Sequence, residues 1–451
     1  MSDKERTRVV VIGGGFAGIN AAKGLGSRRK IDVVLIDRRN HHLFQPLLYQ
    51  VAMAGLSPAN IAAPIRSLVS EHGNVTVFKG EVTDIDLEAR KVSGDFGSQD
   101  YDYLVVAPGA QQSYFGHDDW AEYAPGMKTL AQATEVRRRV LEAFERAETT
   151  DDPQLKKALL TFVVVGGGPT GVELAGAIGE MSRSTLARDF RHIDPKRTRV
   201  ILVEGGPRLL PTFPKELSER AVRDLESLGV QVWTTCPVTG VKPDSISFGE
   251  ESLKAATVLW AAGVQASPLM GMLGEAADRQ GRVSVNEDLS IEGHPEVFVA
   301  GDAAHCKGPD GAAPLPGVAS VAIQQGRYLA KQIRREVAGK VREPFRYKDK
   351  GQMATIGRSR AIAASGPVHL TGFVAWMAWL VVHIYYLSTF RNRLLVVLQW
   401  AFSYATFARG ARLIVDKEEN RAEATPQNPG QEASTAKPPA SAANKKGDAA
   451  A

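Results

Sequence analysis

The sequence predicts an α/β fold with two Rossmann-like dinucleotide-binding domains and a C-terminal helical, membrane-associating region. Two glycine-rich turns of the same kind lie about 150 residues apart, and each follows an apolar, β-branched run that is typical of a buried parallel strand. An aromatic, apolar stretch lies near the C-terminus, between residues 372 and 407. The chain has 451 residues, which is enough for two or three domains.

The first turn, in the segment VVVIGGGFAG, contains Gly13, Gly15 and Gly18 and leads into a helix that we expect to begin at Phe16. In such a turn the first glycine permits the tight bend, the second lets the backbone approach a pyrophosphate, and the third lets the helix pack closely on the strand. Asp37 ends the next predicted strand, where a carboxylate can accept a hydrogen bond from a ribose hydroxyl.

The second turn, in FVVVGGGPTG, repeats this arrangement with Gly166, Gly168 and Gly171. Glu204 ends the following predicted strand, after a connection that we expect to contain a lengthened helix and a loop. An acidic residue at this position favours NADH, because NADPH would require a basic residue for its 2′-phosphate. Arg208 lies four residues further on, so the choice between NADH and NADPH stays open at this point.

Matching segments elsewhere indicate an internal duplication of one α/β unit. The segments YLVVAPG and VLWAAG each place small residues and a glycine after an apolar strand, so we expect both to lie near a bound dinucleotide. A later strand, in EVFVAGDAA, ends before Asp302, whose carboxylate can accept hydrogen bonds from a polyol or cap the next helix. A helical segment, GVASVAIQQGRYLAKQI, begins at Gly317.

The stretch from 372 to 407 consists of two apolar runs separated by Arg-Asn-Arg. The first run approaches the length that spans a bilayer, but it is rich in Trp and Tyr, which prefer the membrane interface. Arg391, Arg393, Arg409 and Arg412 mark polar ends that can contact anionic lipid. We favour interfacial helices. A shallow membrane hairpin, a buried dimer interface and a helix pair within the core are the alternatives.

Composition argues against several classes of protein. The net charge of +5 is weak and dispersed, so we expect no nucleic acid partner. Cys236 and Cys306 are the only cysteines and lack CxxC spacing, so we expect neither a disulfide framework nor a dithiol redox centre, and we assign no metal site. The N-terminal segment lacks the apolar core of a signal peptide, which predicts a cytoplasmic folded part. Residues 416–451 lack aromatic residues and are predicted to be disordered.

Four motifs are more specific than the glycine turns alone. They are DRRNHHLFQPLLYQVA (37–52), GGGPTGVELAG (166–176), FVAGDAA (298–304) and the aromatic C-terminal stretch ending in RGARLI. Between about residues 8 and 415 the chain resembles the type II NADH dehydrogenases, which are single-subunit NADH:quinone oxidoreductases of the two-dinucleotide-binding flavoprotein superfamily. The resemblance implies an enzyme that transfers a hydride from NADH to FAD and then two electrons to a membrane quinone. We expect no proton pumping, because the sequence shows no set of long apolar spans with paired charges.

The resemblance also implies which residues bind the cofactors. Non-covalent FAD would bind at the first turn, with Asp37 on its ribose and with Asp302 and Gly109 close to it. NADH would bind at the second turn, with Glu204 on its ribose. Ala262 and Gly263 would line the path of NADH towards the flavin.

Glu173, just after the second turn, is the implied catalytic residue, and it would orient the substrate or transfer a proton. From the sequence alone it could instead complement the dipole at a helix N-terminus. His383 is a second and weaker candidate for proton transfer. Quinone contacts in the family lie on an AQxAxQ segment, which corresponds here to 319–324. Ser320 replaces the first glutamine of that pattern, and Gln324 matches the second.

The implied domain division is discontinuous. An FAD-binding domain would comprise 1–125 and 285–345, an NADH-binding domain 126–284, and the membrane-associating region 346–415, followed by the tail 416–451. The protein would be a peripheral or monotopic homodimer on the cytoplasmic face of the cell membrane, with menaquinone or ubiquinone as acceptor. Two alternatives are a sulfide:quinone oxidoreductase-like flavoprotein, which needs a cysteine pair beside the flavin, and a non-enzymatic NADH-sensing flavoprotein.

Overall fold

Two parallel sheets built from the predicted strands form the framework of the protein. The computed structural model describes residues 6–414 except 309, 310, 312, 388 and 407–410, and the predicted disordered tail, 416–451, lies outside these residues. The strands of the N-terminal half are β1 Thr7–Ile12, β2 Ile31–Asp37, β3 His41–Leu43, β4 Ala62–Pro64, β5 Val75–Lys79, β6 Val82–Asp86, β7 Lys91–Gly94, β8 Gly97–Asp100, β9 Tyr103–Val106, β10 Ala110–Gln112, β11 Thr161–Val165, β12 Arg199–Val203 and β13 Val230–Trp233.

The strands that follow are β14 Gly240–Lys242, β15 Ser245–Phe248, β16 Glu251–Lys254, β17 Thr257–Trp260, β18 Val264–Ala266, β19 Val283–Ser284, β20 Ser290–Ile291, β21 His294–Val299, β22 Ala304–His305, β23 Gln352–Thr355, β24 Ala361–Ser365 and β25 Val368–Thr371. The α-helices are α1 Phe16–Leu25, α2 Leu48–Ala52, α3 Pro58–Ile61, α4 Ile65–Val69, α5 Leu130–Thr149, α6 Pro153–Leu159, α7 Pro169–Glu180, α8 Lys215–Ser227, α9 Ala319–Val337, α10 Gly372–Tyr386 and α11 Phe390–Thr406.

The two parallel sheets share one topology. The first has the order β20-β21-β9-β1-β2-β5, and its pairings from β21 to β5 are parallel. The second has the order β13-β12-β11-β17 and is parallel throughout. The run β9-β1-β2-β5 therefore corresponds to β17-β11-β12-β13. The predicted fold class is confirmed.

The central strands are buried because their sequences are runs of Val, Ile and Leu without polar alternation. Val9, Val10 and Val11 in β1 are fully buried, as are Val163 and Val164 in β11. Continuous apolar runs of this kind are typical of parallel strands that are covered on both faces.

A short antiparallel ribbon joins the two halves. β10 follows β9 of the first sheet, β18 follows β17 of the second, and the two strands pair with Ala110 opposite Ala266 and Gln112 opposite Val264. The ribbon places the carboxyl ends of β9 and β17 side by side. In α/β sheets, ligands bind at the carboxyl ends of parallel strands.

Residues far apart in the sequence share the first sheet. β20 and β21 pair with β9 although the whole second sheet lies between them in the chain. This pairing fits a discontinuous FAD-binding domain. The described residues all belong to one compact unit that ends at Ile414, and the domain boundaries remain a prediction.

The C-terminal region contains the antiparallel sheet β23-β24-β25 followed by α10 and α11. One side of this helix pair is buried in the core through Trp379, Leu387 and Val396. The other side is exposed and apolar; its larger members include Val374, Val381, Tyr385, Leu394 and Leu398. The inner side thus matches a core helix pair, and the outer side has the apolar character that interfacial helices require. Within the described residues, neither this pair nor any other helix combines the length and apolarity needed to cross a bilayer.

Candidate active site

The first glycine turn has the geometry of a phosphate cradle. Gly13 has φ of +97°, and a Cβ there would lie 2.2 Å from the carbonyl oxygen of Ala107. A Cβ on Gly18 would lie 1.8 Å from the oxygen of Gly13, so the helix can approach the strand only without a side chain. A Cβ on Gly15 would meet nothing within 4 Å, and no side chain caps the start of α1. The N–H groups at the start of α1 fit a pyrophosphate, as bound FAD requires.

The second turn repeats this geometry. Gly166 has φ of +112°, and a Cβ there would lie 2.6 Å from the backbone nitrogen of Ala262. A Cβ on Gly171 would lie 1.8 Å from the oxygen of Gly166, and the position of Gly168 is open. No side chain caps the start of α7 either. The two turns are therefore equivalent phosphate-binding sites by their shape.

The acidic residues at the ends of β2 and β12 hold the turns. Asp37 accepts hydrogen bonds from the N–H of Gly14 at 2.6 Å and from the N–H of Arg39 at 2.6 Å. Glu204 accepts from the N–H of Gly167 at 2.7 Å and from the N–H of Gly206 at 2.6 Å. A carboxylate has about four acceptor positions, so each can also accept from a ribose hydroxyl. Their ribose contacts remain a prediction.

The residues after β9 and β17 meet across the joining ribbon. The Gln112 side chain donates to the carbonyl oxygen of Ala262 and, at 2.7 Å, to that of Gly263. Gly263 has φ of +69°, and a Cβ there would lie 2.9 Å from the carbonyl oxygen of Ser113. Gly109 has φ of +75° and directly precedes β10, on the other side of the ribbon. A Cβ there would meet nothing within 4 Å. Gln112 fixes this meeting point, and the sequence pattern had not singled it out.

Asp302 lies in a short 3-10 turn directly after β21. It borders a cavity of about 310 Å³ together with Ala110, Gln265, Arg282 and Gly317. Among the described residues, no hydrogen bond to the Asp302 carboxylate is found. Its carboxylate is therefore available to a hydroxyl-rich ligand.

The backbone beside Asp302 is held from α9. The side chain of Gln325, which is 1% exposed, accepts a hydrogen bond from the N–H of Gly301 at 2.7 Å. Sequence reasoning missed Gln325, although it follows Gln324 directly in the motif.

Glu173 lies in α7, one turn in from its N-terminus, and is partly exposed, but its carboxyl is deep enough in the protein that burial raises its pKa to about 8. The backbone N–H of Thr355, in β23, donates to this carboxyl and opposes that shift. A carboxyl with this pKa is mostly neutral at pH 7 and can donate a proton.

The two residues of the predicted quinone segment contact the chain that follows α9. The Ser320 hydroxyl lies 3.0 Å from the hydroxyl of Tyr347. The Gln324 side chain donates to the carbonyl oxygen of Lys348 at 2.9 Å and accepts from the N–H of Lys348 at 3.0 Å. Gln324 therefore anchors this segment to α9, and the quinone contact of both residues remains a prediction.

One buried histidine contacts the first turn, and another histidine lies in the C-terminal helix α10. His42 is buried, its Nδ1 donates to the carbonyl oxygen of Gly14 at 2.9 Å, and burial lowers its pKa. His383 stacks on Trp379 with ring centroids 4.2 Å apart, and its Nδ1 donates to the oxygen of that residue at 2.7 Å. Burial lowers the pKa of His383 to about 4, so its ring is neutral at pH 7. This geometry favours a structural role for His383 over proton donation.

Two dinucleotide-type turns with adjoining strand ends define the class of the protein. The sequence model of the pyridine nucleotide-disulphide oxidoreductases matches residues 7–326, and the NDH2 C-terminal domain matches residues 350–409. The type II NADH:quinone oxidoreductase Ndh of Mycobacterium tuberculosis is 46% identical over 92% of this chain and 91% of its own length. The type II NADH:quinone oxidoreductase of Staphylococcus haemolyticus is 32% identical over 78% and 88%. The chain belongs to the type II NADH:quinone oxidoreductase family, as predicted.

Solved structures share the fold. NDH2 from Plasmodium falciparum, in complex with NADH, has a TM-score of 0.83 at 21% identity and covers 91% of this chain and 100% of that chain. The sulfide:quinone oxidoreductase from Aquifex aeolicus has a TM-score of 0.69 at 20% identity, with 86% and 92% covered. Because the fold is common to both activities, the function depends on the site.

Proposed function

We propose that this protein is a non-proton-pumping NADH:quinone oxidoreductase that binds FAD at the first turn and NADH at the second. The observation that carries this proposal is the ribbon of β10 and β18, which brings the carboxyl ends of two dinucleotide-type sheets together. Ligands seated on the two turns would extend towards this ribbon from opposite sides. A hydride donor and an acceptor would then meet between Gly109 and Gly263.

The chain supplies binding, orientation and proton control. FAD held at the first turn would supply the redox chemistry, as the acceptor of a hydride from NADH and the donor of two electrons to a quinone. Asp37 and Glu204 hold the riboses, and Asp302 binds the polyol region beside its cavity. Reduction of a quinone to a quinol also takes up two protons, and Glu173 is neutral at pH 7 and supplies one of them or holds the substrate.

The outer side of α10 and α11 gives the enzyme its contact with quinone-containing lipid. Its apolar side chains seat the protein on the cytoplasmic face of the cell membrane as a peripheral protein, and two copies form a homodimer. The acceptor is a membrane quinone of the menaquinone or ubiquinone type. Exposed Arg391 lies at the start of α11, where it can contact anionic headgroups.

Steady-state oxidation of NADH by the FAD-loaded protein in lipid, with menaquinone and ubiquinone analogues, tests the proposal. We expect continuous turnover. A single flavin reduction without cycling would contradict the enzyme and favour the NADH-sensing alternative. Sulfide-dependent bleaching of the flavin would favour a sulfide:quinone oxidoreductase. Against that alternative, Cys236 and Cys306 pack in different hydrophobic clusters.

Removing the charge of Glu204 is expected to narrow the preference for NADH over NADPH about tenfold, because a carboxylate repels the 2′-phosphate. Glu204→Gln is the preferred change, since its amide oxygen can still accept from one of the N–H groups that Glu204 now binds. The ratio of kcat/KM for the two nucleotides measures the effect. Equal values for both nucleotides in the unmodified protein would contradict this assignment.

Ser320→Gln restores the family glutamine and is expected to change the KM for quinone by a few-fold to about tenfold, the effect of one hydrogen bond. Flavin reduction by NADH in stopped flow should change little. Tyr347→Phe is the matched control, because it removes the hydroxyl partner of Ser320 without lengthening the side chain. Unaltered quinone kinetics in a well-folded Ser320→Gln protein would show that α9 does not touch quinone.

A further inference from the structure

A chain of hydrogen bonds connects the C-terminal helix α11 with β23, the strand whose backbone donates to the Glu173 carboxyl of α7. The indole Nε1 of Trp400 in α11 donates to Oε1 of Gln50 at 2.7 Å. The Nε2 of Gln50 donates to the hydroxyl of Tyr49 at 3.0 Å, and this hydroxyl lies 3.1 Å from Oγ1 of Thr355. The backbone N–H of Thr355 in turn donates to the Glu173 carboxyl.

The donor and acceptor roles along this chain are fixed at one end. An indole N–H can only donate, so the Gln50 oxygen must accept and its amide must donate to Tyr49. The Tyr49 hydroxyl accepts from Gln50, and either hydroxyl can donate in the bond between Tyr49 and Thr355. Tyr49 is 9% exposed and Thr355 is 1% exposed, so a broken link would leave a buried polar group without a partner.

The members of this chain come from three elements that are distant in the sequence. Tyr49 and Gln50 lie in α2, Thr355 in β23 and Trp400 in α11. Helix α11 carries part of the exposed apolar side, while Trp400 faces inward against Trp379 with ring centroids 5.5 Å apart. Three consecutive hydrogen bonds therefore connect α11 to β23.

We infer that Trp400, Gln50, Tyr49 and Thr355 are positioning residues that couple the seating of α11 to the orientation of the Glu173 carboxyl. This inference rests on the proposed function, because it assigns a regulation to the same site. A lipid surface that holds α11 in place also holds Glu173 in its working geometry. Displacement of α11 releases Thr355 and weakens the hydrogen bond to the carboxyl.

The sign of the expected change follows from the groups around Glu173. Burial raises its pKa, and the Thr355 N–H lowers it. Tyr49 faces it from α2, Glu180 of α7 interacts with Tyr49, and Thr355 from β23 is uncharged. Weakening the Thr355 hydrogen bond removes the lowering influence, so the pKa of Glu173 should rise. Activity that needs the protonated carboxyl should then persist to higher pH.

The test uses the full-length, FAD-loaded protein with Trp400→Phe and Tyr49→Phe. Each change removes one hydrogen-bonding group and keeps an aromatic ring. The pH dependence of kcat with a water-soluble quinone analogue is measured beside that of the unmodified protein. We expect the alkaline limb to move up by roughly 0.5–1 pH unit in both variants. A shift of this size corresponds to the loss of part of one charge-assisted hydrogen bond to the carboxylate.

Matched variants separate coupling from a general loss of packing. Thr355→Val, which removes the hydroxyl, should shift the alkaline limb, and Thr355→Ser, which keeps it, should restore the unmodified profile. Tyr101→Phe removes another buried tyrosine hydroxyl, one without a hydrogen-bond partner among the described residues, and should leave the profile unchanged.

An unshifted alkaline limb in Trp400→Phe would overturn the inference. Because Trp400 is partly exposed, Trp400→Phe should fold even if Tyr49→Phe folds poorly, and its pH profile then decides the test. An unmodified protein that fails to cycle between NADH and quinone would instead overturn the proposed function. The two failures are therefore distinguishable.

Discussion

Glu173→Gln is expected to lower quinone-dependent turnover about a hundredfold, the smaller end of what a positioned general acid contributes. The pKa of Glu173 lies near 8 because burial disfavours its carboxylate, so the carboxyl is protonated below that pH and loses its proton above it. In the unmodified protein, kcat should therefore fall as the pH rises through about 8. The glutamine variant cannot titrate and should lack this limb.

The measurement is kcat against pH with saturating NADH and quinone, accompanied by stopped-flow reduction of the flavin. Glu226→Gln is the matched control, because Glu226 is an exposed glutamate on α8. Full turnover with an unchanged alkaline limb in Glu173→Gln would remove Glu173 from the reaction. A loss confined to flavin reduction would assign it to NADH binding instead of proton transfer.

The second large effect is expected when the outer side of the C-terminal helices is made charged. Val374, Val381 and Leu398 are 62%, 60% and 57% exposed, so replacing all three with glutamate should spare the core. Burial of one such side chain in an apolar phase stabilises by about 1.5–3 kcal/mol. Losing three contacts should weaken binding to lipid vesicles by roughly 4 kcal/mol, which is about a thousandfold.

Co-sedimentation with vesicles that contain anionic phospholipid measures this binding. A control protein carries Leu155→Glu and Val341→Glu, which add charge at exposed apolar positions away from α10 and α11. Flavin reduction by NADH should survive in both proteins. Unchanged sedimentation of the triple variant would place the membrane contact elsewhere. Substitution is a sharper test than deletion of the helices, because deletion would also expose the core around Trp379.

The sequence by itself determined the features that depend on neighbouring residues. Gly13 and Gly166 adopt positive φ within turns between an apolar strand and a helix, and local turn chemistry is sufficient to predict them. The same holds for Asp37 and Glu204, which end the next strands. Because the pattern occurs twice, it also predicted the repeated sheet topology, and the four longer motifs then indicated the family.

Tertiary structure alone decided the features that join distant parts of the chain. Tyr49 and Thr355 are 306 residues apart, and no periodicity predicts their hydrogen bond. The raised pKa of Glu173 arises from burial by several elements, so the sequence could indicate the residue without its protonation state. The C-terminal helices show the same division: their composition predicted an apolar surface, and packing around Trp379 decided which side faces the core. Local propensities are encoded in short windows, whereas burial and distant pairing depend on the whole path of the chain.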